Sequence, residues 1–435
     1  HYATMVAMMD YMHRYDCSTF FPNAGLKGPY TLPPICNLNS QLLPSIAKMS
    51  PPLLLTALIL TCIFPASILA QAPQELERIM MKSVENFELK RLTEQGGRFD
   101  LYRGAKAHSL IAFDAVNYRL HRGTEVYLMD HDGTNVRCLT FDMPLRRGHI
   151  GNPVWHPNGH HLVVQVANSN SVFGHFNHAE WGIDNELWLI DKDGKTCERI
   201  FKPQLYGGAL NPIFSPDGKN LLFAERVRTG KIAHHIGFRT PGGEDPWAGW
   251  SIHACHIDVE SKKLKGEARL SHHRRMRPKG KGFYLPHQVT EKSYQLTFSY
   301  SRKPKPQHHE VFVTDLFGRR ARNVTHWPRT YDSAGVYSPS EQVLAFASSR
   351  VDPYFKAQWT RPSLLKTEAY LRVRRKVTTL TNFNRYVHPL SRYYVSNLQW
   401  DRAGRRLFLL AEFFHKRRPS QPRSNIFVIT FKEPL

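Results

Sequence analysis

A repeated phrase is the feature that most constrains the fold of this chain. Residues 214–225 read Phe-Ser-Pro-Asp-Gly-Lys-Asn-Leu-Leu-Phe-Ala-Glu, a turn followed by a short apolar strand. Successive copies along the chain are 48 to 75 residues apart, and self-similarity of this kind is typical of a repeat architecture. The copies align on six apolar residues: Phe113, Val164, Phe223, Phe298, Phe346 and Leu409.

Each copy encodes two β-hairpins. In the first hairpin, Pro presets φ and Gly accepts a positive φ, as in the turn at 215–218. The second hairpin follows directly, as in residues 125–140 and 185–201, where alternating apolar strands flank an Asp-Gly turn. Two hairpins make a four-stranded antiparallel blade. The sequence therefore predicts an all-β fold, a six-bladed β-propeller.

The last repeat lacks the sequence of an outer strand after residues 426–430. Residues 90–93, Lys-Arg-Leu-Thr, match the ends of other outer strands at 139–140 and 380–381, which also read Leu-Thr. We therefore expect an N-terminal strand to complete the last blade and close the ring, which removes an open sheet edge. The alternative is that 90–93 contains an unrelated Leu-Thr pair.

The repeat over about residues 90–435, with its Asp-x-Asp-Gly hairpins and Leu-Thr endings, resembles the TolB-type β-propeller repeat. Residues 151–157 and 182–188 are similar to a group of exported bacterial TolB-like proteins whose function is not settled. The resemblance implies a fold, and a fold does not imply a function. A more distant likeness is to oligogalacturonate lyases, which use metal-bound His and Gln on a propeller. His287-Gln288 fits that pattern, and the other His ligands have no match here.

An apolar run over residues 53–64 is followed by Pro65, small residues and Ala70-Gln71-Ala72. This pattern predicts a signal peptide over residues 49–72, cleaved near Ala70 or Ala72. The exported product is then the propeller of residues 73–435, periplasmic or secreted, with no membrane span after cleavage.

The alternative is a retained anchor helix, because residues 53–70 approach the length that spans a bilayer. Residues 1–48 are interpreted as upstream translation or a disordered segment and are excluded from the fold. After the signal, three cysteines remain, at Cys138, Cys197 and Cys255, so no disulfide framework is expected. The propeller is expected to be monomeric.

The excess of positive over negative charge lies in the second half of the propeller. The whole chain carries a formal net charge of +23. Residues 73–227 have a net charge of −1, whereas residues 228–435 have a net charge of +23. Such asymmetry favours an anionic partner, and a solvated basic surface is the alternative. The densest basic stretch surrounds Arg274, Arg275 and Arg277. No recognition motif accompanies the charge, so nucleic acid is not an expected partner.

The two faces of the predicted ring differ in loop length. In a four-stranded blade, the turns between strands one and two and between strands three and four share one face, which we call the short-turn face. The remaining loops share the long-loop face, and these carry the insertions at 168–184, 228–249, 299–308 and 350–365. Long loops concentrated on one face favour a binding role there, although they can also merely cap the blades. The candidate binding residues on these loops are Trp181, His234, His235 and Trp247.

Polar residues recur near the start of the predicted inner strands. Asn152, Asn211 and Asn397 each lie three residues before the aromatic residue that opens a turn, and His149 and His287 lie close by in their own repeats. Equivalent positions in a propeller meet at the channel mouth, which we expect on the long-loop face. Such residues can bind a ligand or can satisfy backbone groups at strand starts.

No hydrolase or metalloprotease signature occurs in the sequence, since Gly-x-Ser-x-Gly and His-Glu-x-x-His are both missing. We therefore expect a non-enzymatic binding or scaffold protein of the cell envelope, without a cofactor. Its expected partner is an envelope protein or an anionic polysaccharide. The alternative is a metal-assisted polyuronate lyase, which would need a divalent metal ion.

Overall fold

Six four-stranded antiparallel sheets follow one another along the chain, as the repeat predicts. The computed structural model describes residues 87–435 apart from several gaps, and residues 80–435 form one compact unit. The described residues contain no α-helix. The gaps are 103–109, 117–122, 146–148, 168–181, 205–206, 227–248, 260–269, 277–282, 302–308, 328–329, 353–364, 375, 386, 388–390, 416–417 and 433.

The first three blades each take four consecutive strands. Blade 1 consists of β2 (Phe99–Leu101), β3 (Leu110–Val116), β4 (Thr124–Asp130) and β5 (Arg137–Cys138). Blade 2 consists of β6 (Ile150–Trp155), β7 (His161–Ala167), β8 (Asn185–Asp191) and β9 (Cys197–Phe201). Blade 3 consists of β10 (Gly208–Phe214), β11 (Asn220–Arg226), β12 (Trp250–Ile257) and β13 (Leu270–Met276).

The remaining blades follow the same order until the last, which takes its outer strand from the N-terminal side. Blade 4 consists of β14 (Phe283–Val289), β15 (Gln295–Ser301), β16 (Glu310–Asp315) and β17 (Arg322–Asn323). Blade 5 consists of β18 (Asp332–Tyr337), β19 (Val343–Ser348), β20 (Glu368–Val373) and β21 (Lys376–Thr379). Blade 6 consists of β22 (Ser391–Trp400), β23 (Arg406–His415), β24 (Arg418–Phe431) and β1 (Phe87–Arg91).

The first strand of each blade faces the middle of a closed ring. These inner strands contact one another in turn, from β2 to β6, β10, β14, β18 and β22, and β22 contacts β2 again. Apolar side chains fill the spaces between neighbouring blades. One cluster joins Phe113 and Met129 of blade 1 to Phe408 and Ile426 of blade 6. Five of the six aligned apolar residues of the sequence lie in such clusters between blades, and the sixth, Leu409, is fully buried.

The ring closes as the sequence predicts. β1 pairs antiparallel with β24, with Phe87 opposite Phe431 and Arg91 opposite Phe427. Beyond the strand, the backbone N–H of Leu92 donates to the carbonyl of Ile426 at 2.8 Å. The expectation that residues 90–93 complete the last blade is confirmed.

The Leu-Thr endings have a defined role in the blades. In four blades a buried threonine lies two residues beyond the outer strand, and its Oγ1 accepts the backbone N–H of a residue of the third strand. This side-chain bond replaces a backbone hydrogen bond between the third and the outer strand, at a point where the outer strand has already ended. The four pairs are Thr140 with Val126, Thr325 with Val311, Thr381 with Ala369, and Thr93 with Ile426.

The Pro-Asp-Gly and Pro-Asn-Gly turns also fit neighbouring blades together. Gly218 has a φ of 73°, a conformation that glycine adopts without strain. A Cβ atom there would lie 2.5 Å from the His156 ring of blade 2, and the Gly218 carbonyl lies 3.1 Å from His156 Nε2. Glycine therefore serves both the turn and the contact between blades.

Several predictions from the sequence lie outside the described residues. These are the signal peptide at 49–72, the segment 1–48, the loop candidates Trp181, His234, His235 and Trp247, and Arg277. Within the described part of the chain, no helix has the length and apolar character needed to cross a membrane.

Replacing Thr93 by Val tests the closure of the ring. Thr93 is 9% exposed and its Oγ1 accepts the Ile426 N–H at 2.9 Å. The valine leaves that buried N–H without its acceptor, so we expect a loss of about 1–3 kcal/mol in unfolding free energy. Denaturant unfolding measures the loss. The control is Thr378→Val, an exposed threonine on the outer strand of blade 5. Equal effects of the two substitutions would contradict the assigned role of Thr93.

Candidate functional site

The inner strands are irregular where they approach the ring axis. Five of the six carry a register shift, in β6, β10, β14, β18 and β22. In blades 2 and 3 the shift includes Asn152 and Asn211, with φ values of 47° and 52°. Asparagine tolerates this left-handed conformation better than most residues do. Pro153 and Pro212 follow and have no N–H to leave unpaired at the bulge.

These irregular segments surround one cavity of about 470 Å³ on the ring axis. Asn152, Asn211, His287 and Asn397 line it, and they come from blades 2, 3, 4 and 6. Blade 1 contributes Arg98 and Asp100, and blade 5 contributes Ala334 and Val336. His149 does not line the cavity, because it precedes β6 and pairs through its carbonyl with the Ala167 N–H at 2.8 Å.

Asp114 on β3 joins blade 1 to blade 2 at the cavity wall. Its Oδ1 accepts the Arg98 N–H at 3.1 Å and its Oδ2 accepts the Asn152 N–H at 2.8 Å. Asp114 is 6% exposed. The bulge frees the Asn152 N–H from the strand ladder, and the carboxylate replaces the lost acceptor.

Gln165 on β7 repeats this arrangement between blades 2 and 3. Its Oε1 accepts the Asn152 side-chain amide at 2.7 Å and the Asn211 backbone N–H at 2.9 Å, and its Nε2 donates to the Ala209 carbonyl at 3.0 Å. Gln165 is fully buried. The Asn152 side chain therefore bonds to a side chain of its own blade, whereas the alternative from the sequence concerned backbone groups.

Side chains also link the inner strands of blades 4 and 5 and form a second link between blades 1 and 2. Gln288 of blade 4 accepts the Tyr337 N–H of blade 5 through Oε1 at 2.7 Å. Asp100 of blade 1 accepts the Trp155 N–H of blade 2 at 2.8 Å. These two bonds hold the ends of adjacent inner strands together.

Asn397 and Arg98 extend this set of bonds around and across the channel. The Asn397 amide of blade 6 donates to the Phe99 carbonyl of blade 1 at 2.7 Å. The Arg98 guanidinium donates through Nη1 to the Asn211 Oδ1 of blade 3 at 3.0 Å. Arg98 therefore spans from blade 1 to blade 3, past the intervening blade.

His287 is an uncharged donor and acceptor in the cavity wall. Its Nε2 lies 2.5 Å from the Ser299 Oγ. Burial, then the nearby His309, then the positive charge of Arg98 hold the pKa of His287 well below its usual value of 6.5. The imidazole is therefore neutral at neutral pH, and it offers hydrogen bonding without charge.

An apolar cluster packs around the starts of the inner strands. It includes Leu210, Leu285, Tyr331 and Tyr394, and the two tyrosine hydroxyls lie 3.1 Å apart. Burial, with smaller effects of Tyr331, raises the pKa of Tyr394 well above its usual range. This cluster lies toward the side from which the blade-connecting loops enter.

The described wall of the cavity continues toward the short-turn face. Pro157, Pro216, Glu291 and Arg402 line it, and all four lie at or in the turns between the first two strands of a blade. The sequence led us to expect the polar residues of the inner strands near a mouth on the long-loop face, namely His149, Asn152, Asn211, His287 and Asn397. Most residues of the long insertions lie outside the described part of the chain. The cavity wall that the structure describes therefore extends toward the short-turn face.

Sequence reasoning missed Arg98, Asp114 and Gln165. A usable signal existed for two of them. Asp114 and Gln165 directly follow the aligned apolar residues Phe113 and Val164, so both occupy one repeat position. Arg98 has no counterpart in the repeat, and its role follows from where its long side chain reaches.

The basic stretch from the sequence falls partly on the outer rim of blade 3. Arg274 and Arg275 lie on β13, the outermost strand, opposite Ala254 and His253 of β12. For metal binding, the described residues show no group of three His, Cys, Asp or Glu side chains arranged as ligands.

Comparisons with known proteins concern the fold. No protein-family model and no curated protein sequence matches the chain. Among solved structures, TolB from Acinetobacter baumannii matches with 16% identity and a TM-score of 0.44, over 75% of this chain and 64% of TolB. An oligogalacturonate lyase in complex with manganese matches with 11% identity and a TM-score of 0.41, over 80% of this chain and 98% of the lyase.

An acylaminoacyl peptidase from Pyrococcus horikoshii matches with 9% identity and a TM-score of 0.39, over 73% of this chain and 44% of the peptidase. Both propellers named from the sequence, TolB and oligogalacturonate lyase, are thus among the structures that this chain is similar to. The propeller fold that the resemblance implies is confirmed by the six four-stranded sheets of this structure. The chain spans less than two thirds of the TolB structure.

Lowering the pH should reduce the unfolding free energy through protonation of His309, which packs beside the cavity. Burial lowers the pKa of His309 from 6.5 to about 3, and its ring stacks on Tyr331 with centroids 5.0 Å apart. Since the unfolded chain binds this proton more tightly, stability is full above pH 6.5 and falls as the pH is lowered toward 3. From pH 6.5 to 4.5 this one residue should cost about 2 kcal/mol of unfolding free energy.

Unfolding of His309→Phe at both pH values measures this effect, because phenylalanine keeps the stacking and cannot bind the proton. The variant should lose less stability than the parent between pH 6.5 and 4.5. His160→Phe is the control, since His160 is exposed. An unchanged acid dependence in the His309 variant would show that His309 does not carry the effect.

Proposed function

We propose that this protein is an exported, non-enzymatic binding or scaffold protein of the cell envelope, and that its central cavity holds the ligand. One observation carries the proposal. The inner strands of six blades line one cavity of about 470 Å³, five of them with irregular segments, and four of the six place an amide or imidazole side chain in its wall. Concave sites with a few convergent polar groups are where proteins bind small ligands.

The hydrogen bonds that these residues already make determine which groups the cavity can offer to a ligand. Asp114 gives both carboxylate oxygens to backbone N–H groups, and Gln165 holds Asn152 and Asn211 in place. His287 is neutral and bonded to Ser299. These groups hold a ligand in a fixed orientation, and this arrangement supports binding as the main role of the cavity.

Anionic polymer is the partner that the charge supports. Net charge is +23 over residues 228–435 and −1 over residues 73–227, so blades 3 to 6 carry the excess. Acidic polysaccharide of the envelope carries the opposite charge. In this proposal the basic half attracts the polymer and the cavity takes an end or a short segment of it.

Export is tested on protein from the native cell envelope. We expect the N-terminal sequence to begin near residue 71 or 73, after cleavage at Ala70 or Ala72. N-terminal sequencing of the periplasmic, membrane and cytoplasmic fractions distinguishes the outcomes. Full-length protein in the cytoplasm would contradict export, and full-length protein in the membrane would support the retained anchor helix.

Polymer binding is tested by co-sedimentation with acidic polysaccharide, lipopolysaccharide and DNA at low and moderate salt. Affinity should fall as salt screens the charges, because such contacts are largely electrostatic. Replacing Arg274, Arg275 and Arg277 together by Glu should weaken binding about tenfold or more.

The matched control reverses three charges in the other half of the ring, at Arg137, Lys195 and Lys202, all of which are exposed. This control should retain most of the affinity. No binding to any of the three polymers at low salt would overturn the anionic-polymer part of the proposal. The same protein samples are also incubated with pectic oligomers and a divalent metal ion, and unsaturated product is followed by ultraviolet absorbance. Formation of that product would favour the lyase alternative.

A further inference from the structure

Arg98 brings a positive charge to the middle of the cavity. It precedes β2 of blade 1, lines the cavity and reaches Asn211 of blade 3 at 3.0 Å. The same charge lowers the pKa of His287 in blade 4 and opposes the rise in the pKa of Tyr394 in blade 6. Because these partners belong to three different blades, the guanidinium lies close to the ring axis.

The Arg98 guanidinium bonds to a neutral amide. Within the described residues it forms no ion pair, and its side-chain hydrogen bond goes to the Asn211 Oδ1. Two carboxylates of its own blade are occupied by backbone groups. Asp114 accepts the Arg98 and Asn152 N–H groups, and Asp100 accepts the Trp155 N–H. An arginine side chain has five N–H donors. The hydrogen bond to the Asn211 Oδ1 uses one of these donors.

The groups around this charge suit a small carboxylate. Asn211 and His287 are polar and uncharged at neutral pH, so they add hydrogen bonds without competing for the cation. A guanidinium matches the planar, two-oxygen geometry of a carboxylate. The cavity of about 470 Å³ has room for a ligand of the size of a sugar or a dipeptide. Trp155 and Phe214 supply apolar wall toward the short-turn face.

We propose that the central cavity binds a small organic carboxylate, whose carboxylate group pairs with the Arg98 guanidinium beside Asn211 and His287. The inference rests on the proposed function, since it specifies the ligand chemistry of the same cavity. A sugar acid and a peptide C-terminus both present this group, and the two are separated by experiment.

Titration calorimetry at low salt compares each carboxylate with its neutral counterpart. The probes are D-glucuronate against D-glucose, and acetyl-Ala-Ala with a free C-terminus against the same dipeptide amide. We expect one of the two carboxylates to bind about tenfold or more tightly than its neutral counterpart, the range expected of a charge-assisted pair. The pair that shows the difference identifies the source of the carboxylate.

Two variants test the role of Arg98 in different ways. Arg98→Gln removes the charge. Asn211→Asp places a carboxylate beside the guanidinium and so competes with the ligand, and aspartate also tolerates the φ of 52° at this position. Both variants should lose carboxylate affinity by about tenfold or more. If Arg98→Gln does not fold, Asn211→Asp still gives the result, since its added ion pair favours the folded state.

The control is Arg137→Gln, which removes the same charge from an exposed site on the outermost strand of blade 1. It should bind as the parent does. The inference is overturned if neither carboxylate binds, if neutral and charged probes bind equally, or if both variants keep full affinity. Polymer co-sedimentation and N-terminal sequencing use neither these probes nor these variants. Failure of the carboxylate test therefore leaves the proposed function to be decided by its own experiments.

Discussion

The antiparallel pair of β1 and β24 is the contact on which the rest of the ring depends. It joins segments from the two ends of the described chain, and the Thr93–Ile426 bond spans 333 residues of sequence. Each blade buries its faces only against its two neighbours, so an open ring would expose the apolar faces of two blades to water. Closure also brings β22 against β2, which completes the wall of the central cavity.

The cavity depends on irregular backbone in the inner strands. Regular strands would direct their N–H groups into the ladder of their own blade. The bulges release some of these groups, and side chains from neighbouring blades take them up, as Asp114 does for Asn152 and Gln165 for Asn211. The bonds that hold adjacent blades together are therefore the bonds that make the channel polar. Substitutions at Asp114 or Gln165 are expected to affect stability and binding together.

Charged residues of this protein act both at long range, outside the ring, and at short range, inside it. The excess of basic residues in blades 3 to 6 produces a long-range field that salt screens. Arg98 acts at short range inside the ring, where burial weakens screening and a single charge has a larger effect. The pKa of His287 shows that effect, since burial and the neighbouring positive charge both keep its imidazole neutral. In the proposed function, the first field attracts a polyanion and the second holds one of its acidic groups.

Local sequence patterns determined the six blades, the turn positions and the closing strand, because turn chemistry acts at short range. The repeat positions also determined that Asn152, Asn211, His287 and Asn397 meet at one cavity. Tertiary structure alone decided that His149 stays out of the cavity and that Arg98 reaches Asn211. It also decided that the described wall extends to the short turns. These features depend on bulges and on the packing angle between blades, and neither leaves a periodic signal in the chain.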